Sequence, residues 1–308
     1  MSELRAALED YLAIRRSLGF TLERAGRLLP AFLAYLEVLD ADRVTSSLAL
    51  AWATQPSAAH PAWWRERLGI VRGFARHLKA IDPLTEVPPP DLLPCHRPRL
   101  TPHLYSDADV AALMQAAGGL TPRWRAVTYQ TLVGLLAVTG LRLGETLGLD
   151  RPDVDLAAGV LLVRQAKLGK TRETPIHHTT VEALGRYAAI RDQRWPQPAT
   201  PSFFISARGQ RLGAATVHDN FPILVHRAGL QARGQRCRPR PHDLRHSFAV
   251  HTLLDWYRDG VDVQARLPAL STFLGHVNPA GTYWYLQAAP ELLCLASRRL
   301  ETVLDGLS

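Results

Sequence analysis

Cysteine is scarce: only 3 occur in 308 residues, Cys95, Cys237 and Cys294. Their number is odd and they lie far apart, which argues against a disulfide framework and fits a reducing compartment. No Cys-x-x-Cys pair exists, so the usual spacing of a structural zinc site is missing. No uninterrupted apolar run is long enough to span a bilayer. The opening residues Met1-Ser2-Glu3-Leu4-Arg5 hold no apolar signal core, so a cytoplasmic location is expected. There is no internal repeat and no low-complexity tract. Acidic residues are outnumbered, 28 against 36 Lys and Arg, which leaves a net charge of +8. That excess favours a polyanionic partner, nucleic acid ahead of an anionic membrane surface. Most of it is arginine, whose planar fork grips phosphate through two bonds at once. Hydrophobic residues make up 47% and charged residues 21%, the proportions of a soluble folded chain long enough for two cores.

The first segment reads as helices. One carries Leu4, Leu8, Tyr11 and Leu12 and closes near Gly19. A second starts near Thr21 and sets Leu29, Phe32, Leu33 and Leu36 on one face, and a third falls around Leu48 to Trp52. A fourth opens at Pro61 and aligns Trp64, Leu68, Val71, Ala75 and Leu78 at helical spacing. Its opposite face shows Arg65, Arg72, Arg76 and Lys79, a solvated surface by default and a phosphate-tracking face on a DNA-binding protein. From Pro83 to Pro102 the chain is rich in proline, which removes backbone donors and stiffens it into an extended linker. The expected division is a helical domain over 1–84, a linker over 85–104 and a second domain over 105–289. A terminal amphipathic helix is expected over 290–308.

The second domain opens with a capping box, Ser106-x-x-Asp109. A helix starting at Thr121-Pro122 runs to Gly140, and Arg142 falls where it stops and another begins. A short strand from Val160 to Val163 and another from Arg172 to Ile176 flank a turn at Leu168-Gly169-Lys170, which reads as a hairpin. Thr179-x-x-Glu182 caps a further helix, and Ser202 to Ile205 reads as another short strand. The expected class is mainly α, with a small antiparallel sheet in the second domain.

Several residues form one chemical kit: Arg142, Lys167, His242, Arg245, His276 and Tyr285, in that order. Breaking a phosphodiester without a metal requires fixed cations and a proton donor for the leaving oxygen. Arg142 and Arg245 suit a phosphate clamp. His242 shares a helix face with Arg245 three residues on, so both can point at one phosphate. His276 adds a donor, and Lys167, before the hairpin turn, suits a proton donor to the leaving group. Tyr285 suits a nucleophile, shedding its proton as it attacks. Alone, each residue has an ordinary reading: a salt-bridged arginine, solvated hairpin lysines, an aromatic helix packed on the core. His242 and His246 have the spacing of a helical metal pair, but no nearby Glu or Cys completes such a site, and no metal or cofactor is expected.

The set resembles the tyrosine recombinase, or phage integrase, family. Thr139-Gly140-Leu141-Arg142 is very similar to the sequence around the family's first arginine, and Glu145 matches the acidic residue that buttresses it. Lys167 matches the hairpin lysine, His242 and Arg245 the His-x-x-Arg box, His276 in Leu-Gly-His the second histidine, and Tyr285 the nucleophile. The resemblance implies an N-terminal helical core-binding (SAM-like) domain followed by an α+β catalytic domain. It also implies DNA cleavage through a 3′-phosphotyrosine bond, and a tetrameric synaptic complex on double-stranded DNA carrying a specific recombination site. His242 is then the acceptor of the tyrosine proton, and the tail from Pro290 docks on a neighbouring subunit. Lys170 competes with Lys167 as proton donor and Tyr283 with Tyr285 as nucleophile. The basic loop with Arg236, Arg238 and Arg240 is a further candidate for the DNA backbone. A topoisomerase using the same site, and a DNA-binding architectural protein without catalysis, are the alternatives.

Overall fold

The computed structural model describes residues 2–93, 101–166, 170–232, 234 and 237–276. The chain divides into two compact units, Met1–Arg99 and Leu100–Ser308. Among the described residues no helix is long and apolar enough to cross a membrane.

The first unit is built from α1 (Ser2–Ser17), α2 (Glu23–Val38), α3 (Ser46–Thr54) and α4 (Pro61–Leu78). The apolar stripes expected from helical spacing face one core: Leu4, Leu8 and Leu12 from α1, Leu29, Phe32, Leu33 and Leu36 from α2, Leu68, Val71, Ala75 and Leu78 from α4. Trp52 of α3 joins them edge-on to Phe32, at 5.2 Å between ring centroids. Pro61 stands in the first turn of α4, where its missing N–H costs nothing.

The proline-rich segment is not wholly an extended linker. Its first half packs on the first unit: Thr85 is buried, and Val87 and Leu93 lie against the helical core. Arg72 of α4 donates to the carbonyls of Pro88 at 2.6 Å and Pro89 at 2.7 Å. Prolines lack N–H but keep carbonyl acceptors, and a neighbouring guanidinium fills that need. At its other end, Tyr105 is fully buried in the second unit. Its backbone N–H donates to Ser247 Oγ at 2.8 Å and its hydroxyl to the Arg240 carbonyl at 3.0 Å.

The second unit is organised around α6 (Arg123–Thr139), which is buried on nearly every side, from Trp124 through Leu132, Val133, Leu135 and Leu136 to Thr139. A helix surrounded this way belongs at the centre of a domain. Around it lie α5 (Asp107–Gly118), α7 (Leu143–Gly148), α8 (His178–Arg194), α9 (Ala214–Arg227), α10 (Pro241–Arg258) and α11 (Val263–Leu274). The Ser106–Asp109 capping box is formed, with reciprocal bonds of 3.2 and 2.9 Å. β1 (Val154–Asp155), β2 (Val160–Ala166) and β3 (Lys170–Pro175) make one antiparallel sheet in the order β1-β2-β3. Val163 pairs with Arg172 and Leu161 with Thr174, so these four share one face of the sheet. Leu161, Val163 and Thr174 are buried there.

Two local expectations differ. Ser202 to Ile205 makes only isolated bridges, Asp150 with Ser202 and Ile205 with Arg211. Phe203 and Phe204 are fully buried against Tyr187, at 5.2 and 5.3 Å between centroids, so burial on all sides rather than strand pairing explains this apolar run. The cap of α8 is His177, whose ring accepts from the Thr179 backbone N–H, rather than Thr179 itself. Thr179 stands inside the first turn, its Oγ1 2.9 Å from His177 Nδ1.

Gly140 ends α6 at φ 60°, and an added Cβ would lie 2.6 Å from Phe248 Cδ1. Gly140→Ala is expected to destabilise the protein by about 1–3 kcal/mol through overpacking and left-handed strain, read as a lowered midpoint in urea unfolding.

Candidate active site

The sharp turn at Gly140 delivers Arg142 to the N-terminal edge of α7. One turn on, Glu145 accepts from the Arg142 backbone N–H at 3.0 Å and from Arg142 Nη1 at 2.7 Å. Arg142 also reaches across to the Gly275 carbonyl, with Nη1 and Nη2 both at 3.3 Å. Its side chain keeps 31% of its surface exposed, enough to meet a ligand.

α10 places His242 and Arg245 three residues apart, close to its start. Arg245 is only 2% exposed. Its Nη1 donates to the Gly140 carbonyl and its Nη2 to the Leu274 carbonyl, both at 2.7 Å. These acceptors stand at the C-terminal ends of α6 and α11. Helix C-termini leave carbonyls without partners and carry partial negative charge, so the fold buries a permanent cation where two such ends meet. His242 is exposed, its ring edge-on to His246 at 4.8 Å between centroids.

α11 closes with Gly275 at φ 67°, and the half-buried His276 follows at once. Its backbone N–H donates to the Ser271 carbonyl at 2.9 Å, which fixes the turn. Three successive carbonyls here accept from three different arginines: Phe273 from Arg172 Nε at 3.2 Å, Leu274 from Arg245, and Gly275 from Arg142. Each arginine comes from a different element: β3, α10 and the edge of α7.

Arg172 escaped the reading of the sequence as a site residue. Its Nη1 and Nη2 lie 3.2 and 2.8 Å from the two oxygens of Glu145. The available signal was slight: alternation along a short strand puts Arg172 on the inward face beside Thr174, and a charge there requires an acidic partner.

The charges of the site follow from this crowding. Burial pushes the Glu145 carboxyl upward, but the Arg172 pair and the Arg142 N–H outweigh it, and its pKa falls below the ordinary value. Burial first, then the charges of Arg245 and Arg142, pull His276 down to about 4. Burial, then His242 and Arg240, pull His246 down to about 3. His242 is also lowered, by desolvation and then by Arg245. The imidazoles are therefore neutral at neutral pH, each with one N–H donor and one acceptor nitrogen.

The structure brings together Arg142, Glu145, His242, Arg245 and His276. Lys167, Arg236, Tyr283, Tyr285 and the tail over 290–308 lie outside the described residues. Lys170 begins β3, its backbone paired with Ala166. Of the expected DNA contacts, Arg76, Lys79 and Arg238 are exposed and Arg65 is half-buried. Arg72 is engaged with the two proline carbonyls. Arg240 forks onto the buried Asp243, at 3.1 Å through Nε and 2.8 Å through Nη2. Among the described residues no group of three or more His, Cys, Asp or Glu side chains is arranged to hold a metal ion.

Residues 105–291 match the model of the phage integrase family. The chain is 45% identical over 307 residues to y4rB of Sinorhizobium fredii, a protein named as an integrase/recombinase, covering 98% of each. It belongs to the phage integrase family. This integrase-family chain is also 33% identical to the tyrosine recombinase XerC of Azotobacter vinelandii, over 71% of its own length and 67% of the relative's. Its fold matches a crystal structure of a lambda integrase tetramer bound to a Holliday junction, with a TM-score of 0.59 and 19% identity, over 92% of this chain and 76% of that one. Tyrosine recombinases are enzymes that break and rejoin DNA, and the mainly helical architecture with its small antiparallel sheet is that of their catalytic domains.

The depressed histidines give the integrase-family fold a pH dependence of defined sign. An unfolded histidine takes up a proton near pH 6.5, whereas folded His276 does so only near about 4. The unfolded state binds more protons in between, so stability is full above about pH 6.5 and is lost as pH falls toward about 4. Urea unfolding across that range, with NMR titration of the His276 ring, checks this; a ring titrating near its ordinary value removes the contribution.

Proposed function

We propose that this chain is a site-specific DNA recombinase that cleaves and rejoins strands through a covalent 3′-phosphotyrosine intermediate. The observation that carries the reading is the convergence of Arg142 and Arg245 on adjacent carbonyls of the turn bearing His276, with His242 on the same helix face as Arg245. A phosphodiester entering this cluster meets two permanent cations and a neutral imidazole donor. Such preorganised donors stabilise the charge that develops on the non-bridging oxygens during attack, at about 3–4 kcal/mol for each donor removed. Phosphate binding also shifts the histidines back toward protonation, since a nearby anion favours the charged form.

In the proposed reaction the Tyr285 oxygen attacks phosphorus and forms the new P–O bond. The phenolic proton passes to His242, whose lowered pKa leaves its ring neutral and able to accept it. The bond to the 5′ oxygen breaks, and Lys167 gives that oxygen a proton. Attack by a 5′-hydroxyl of another strand reverses these steps, so the energy of the linkage is conserved and no nucleotide cofactor is consumed. Exchange between two duplexes calls for four subunits, a reading supported by the tetrameric lambda integrase assembly of similar fold. The net charge of +8 suits the DNA partner.

Tyr285→Phe is expected to abolish the covalent protein–DNA adduct on a nicked duplex while leaving DNA binding nearly intact, as read by denaturing gel and by gel shift. An adduct that persists means another residue is the nucleophile. Cleavage is also expected to continue in excess chelator, because side chains supply the cations; loss in chelator with recovery in magnesium would place the chain among metal-dependent nucleases.

A further inference from the structure

We propose that Arg172 is a positioning residue for DNA cleavage, a brace from strand β3 that holds Arg142, through Glu145, and the His276 turn in place; this rests on the recombinase reading above. Oε1 of Glu145 accepts from Arg142 Nη1 at 2.7 Å and from Arg172 Nη1 at 3.2 Å. Oε2 accepts from the Arg142 backbone at 3.0 Å and from Arg172 Nη2 at 2.8 Å. The carboxylate is therefore held from both sides and its plane is fixed. With Arg172 removed, it is free to rotate and to take Arg142 into a two-pronged pair of its own. That draws the guanidinium away from the Gly275 carbonyl and from an incoming phosphate.

The other edge of Arg172 acts on the His276 turn. Nε donates to the Phe273 carbonyl, and the guanidinium fills the space beside Gly275, where an added Cβ would stand 2.5 Å from Nη1. Arg172 belongs to β3, the strand that Lys170 begins. One side chain of β3 thus braces both Arg142, through Glu145, and the turn bearing His276, groups that must meet the same phosphate. Its inward strand position and 13% exposure suit a fixed brace rather than a group that meets DNA.

The test uses the full chain and a pool of nicked synthetic duplexes of random sequence. Trapped covalent adducts are sequenced to give one probe duplex, on which single-turnover cleavage and DNA affinity are measured. Arg172→Gln is expected to slow cleavage by about 100-fold at nearly unchanged affinity, the scale of an ångström-sized misplacement. Arg172→Lys should regain part of the rate. The Glu145→Gln/Arg172→Gln pair, which leaves no buried unpaired carboxylate, should be no slower than the slower single variant, the non-additivity of two residues acting as one unit. A second probe carries sulfur at the bridging 5′ position, so that the leaving thiolate needs little protonation; the Arg172→Gln defect should persist on it. If Arg172→Gln melts below the assay temperature, the Arg172→Lys rate and the double variant decide. A cleavage rate within about twofold of the parent, multiplicative effects in the pair, or full recovery on the sulfur probe each overturn the positioning role and leave the recombinase reading standing. A parent protein that traps no DNA from the pool overturns that reading and this proposal with it.

Discussion

The second unit depends on how the last turn of α11 is held. A helix C-terminus exposes carbonyls that its own backbone cannot satisfy, and here three of them in a row receive arginine N–H groups. The arginines in that set stand on β3, on α10 and at the edge of α7, so the turn draws its partners from three separate elements. Local order at His276 is in this sense a product of the tertiary fold. The same contacts fix the arginines, whose long side chains would otherwise lose much of their electrostatic value to conformational freedom.

Burying positive charge requires compensation, and the fold supplies it in two ways. Arg245 sits against the carbonyl ends of two helices, so partial charges of the backbone stand opposite the guanidinium. Arg142 and Arg172 share Glu145, whose side chain is only 8% exposed. The balance remains positive, and it adds to burial, the larger cause, in lowering the neighbouring imidazoles. A centre of this charge favours an anion, and the phosphodiester proposed above would offer its forked donors paired oxygen acceptors.

Much of this was legible in the sequence because the features are short-range. The stripe of Leu29, Phe32, Leu33 and Leu36 and the Ser106–Asp109 box follow from spacing within one element, and the pairing of β2 with β3 from two neighbouring ones. Arg142, His242, Arg245 and His276 were named by their motifs, and the fold brings them to one place. Arg172 was missed because its importance lies in partners 27 and 101 residues away, and a six-residue strand has too little alternation to mark an inward arginine. Phe203-Phe204-Ile205 misled for a related reason: complete burial and strand pairing leave the same apolar signature, and only the surroundings separate them. Proline content reports what the backbone cannot donate and says nothing about what its carbonyls can accept, so the packing of Thr85, Val87 and Leu93 on the first unit is not legible in composition.

The grip of Arg72 on the Pro88 and Pro89 carbonyls has a practical side. An excised N-terminal fragment ending at residue 84, where composition alone suggests the cut, would strand this guanidinium and strip Thr85, Val87 and Leu93 from the helical bundle they cover. The fragment that retains its own seal ends after residue 93.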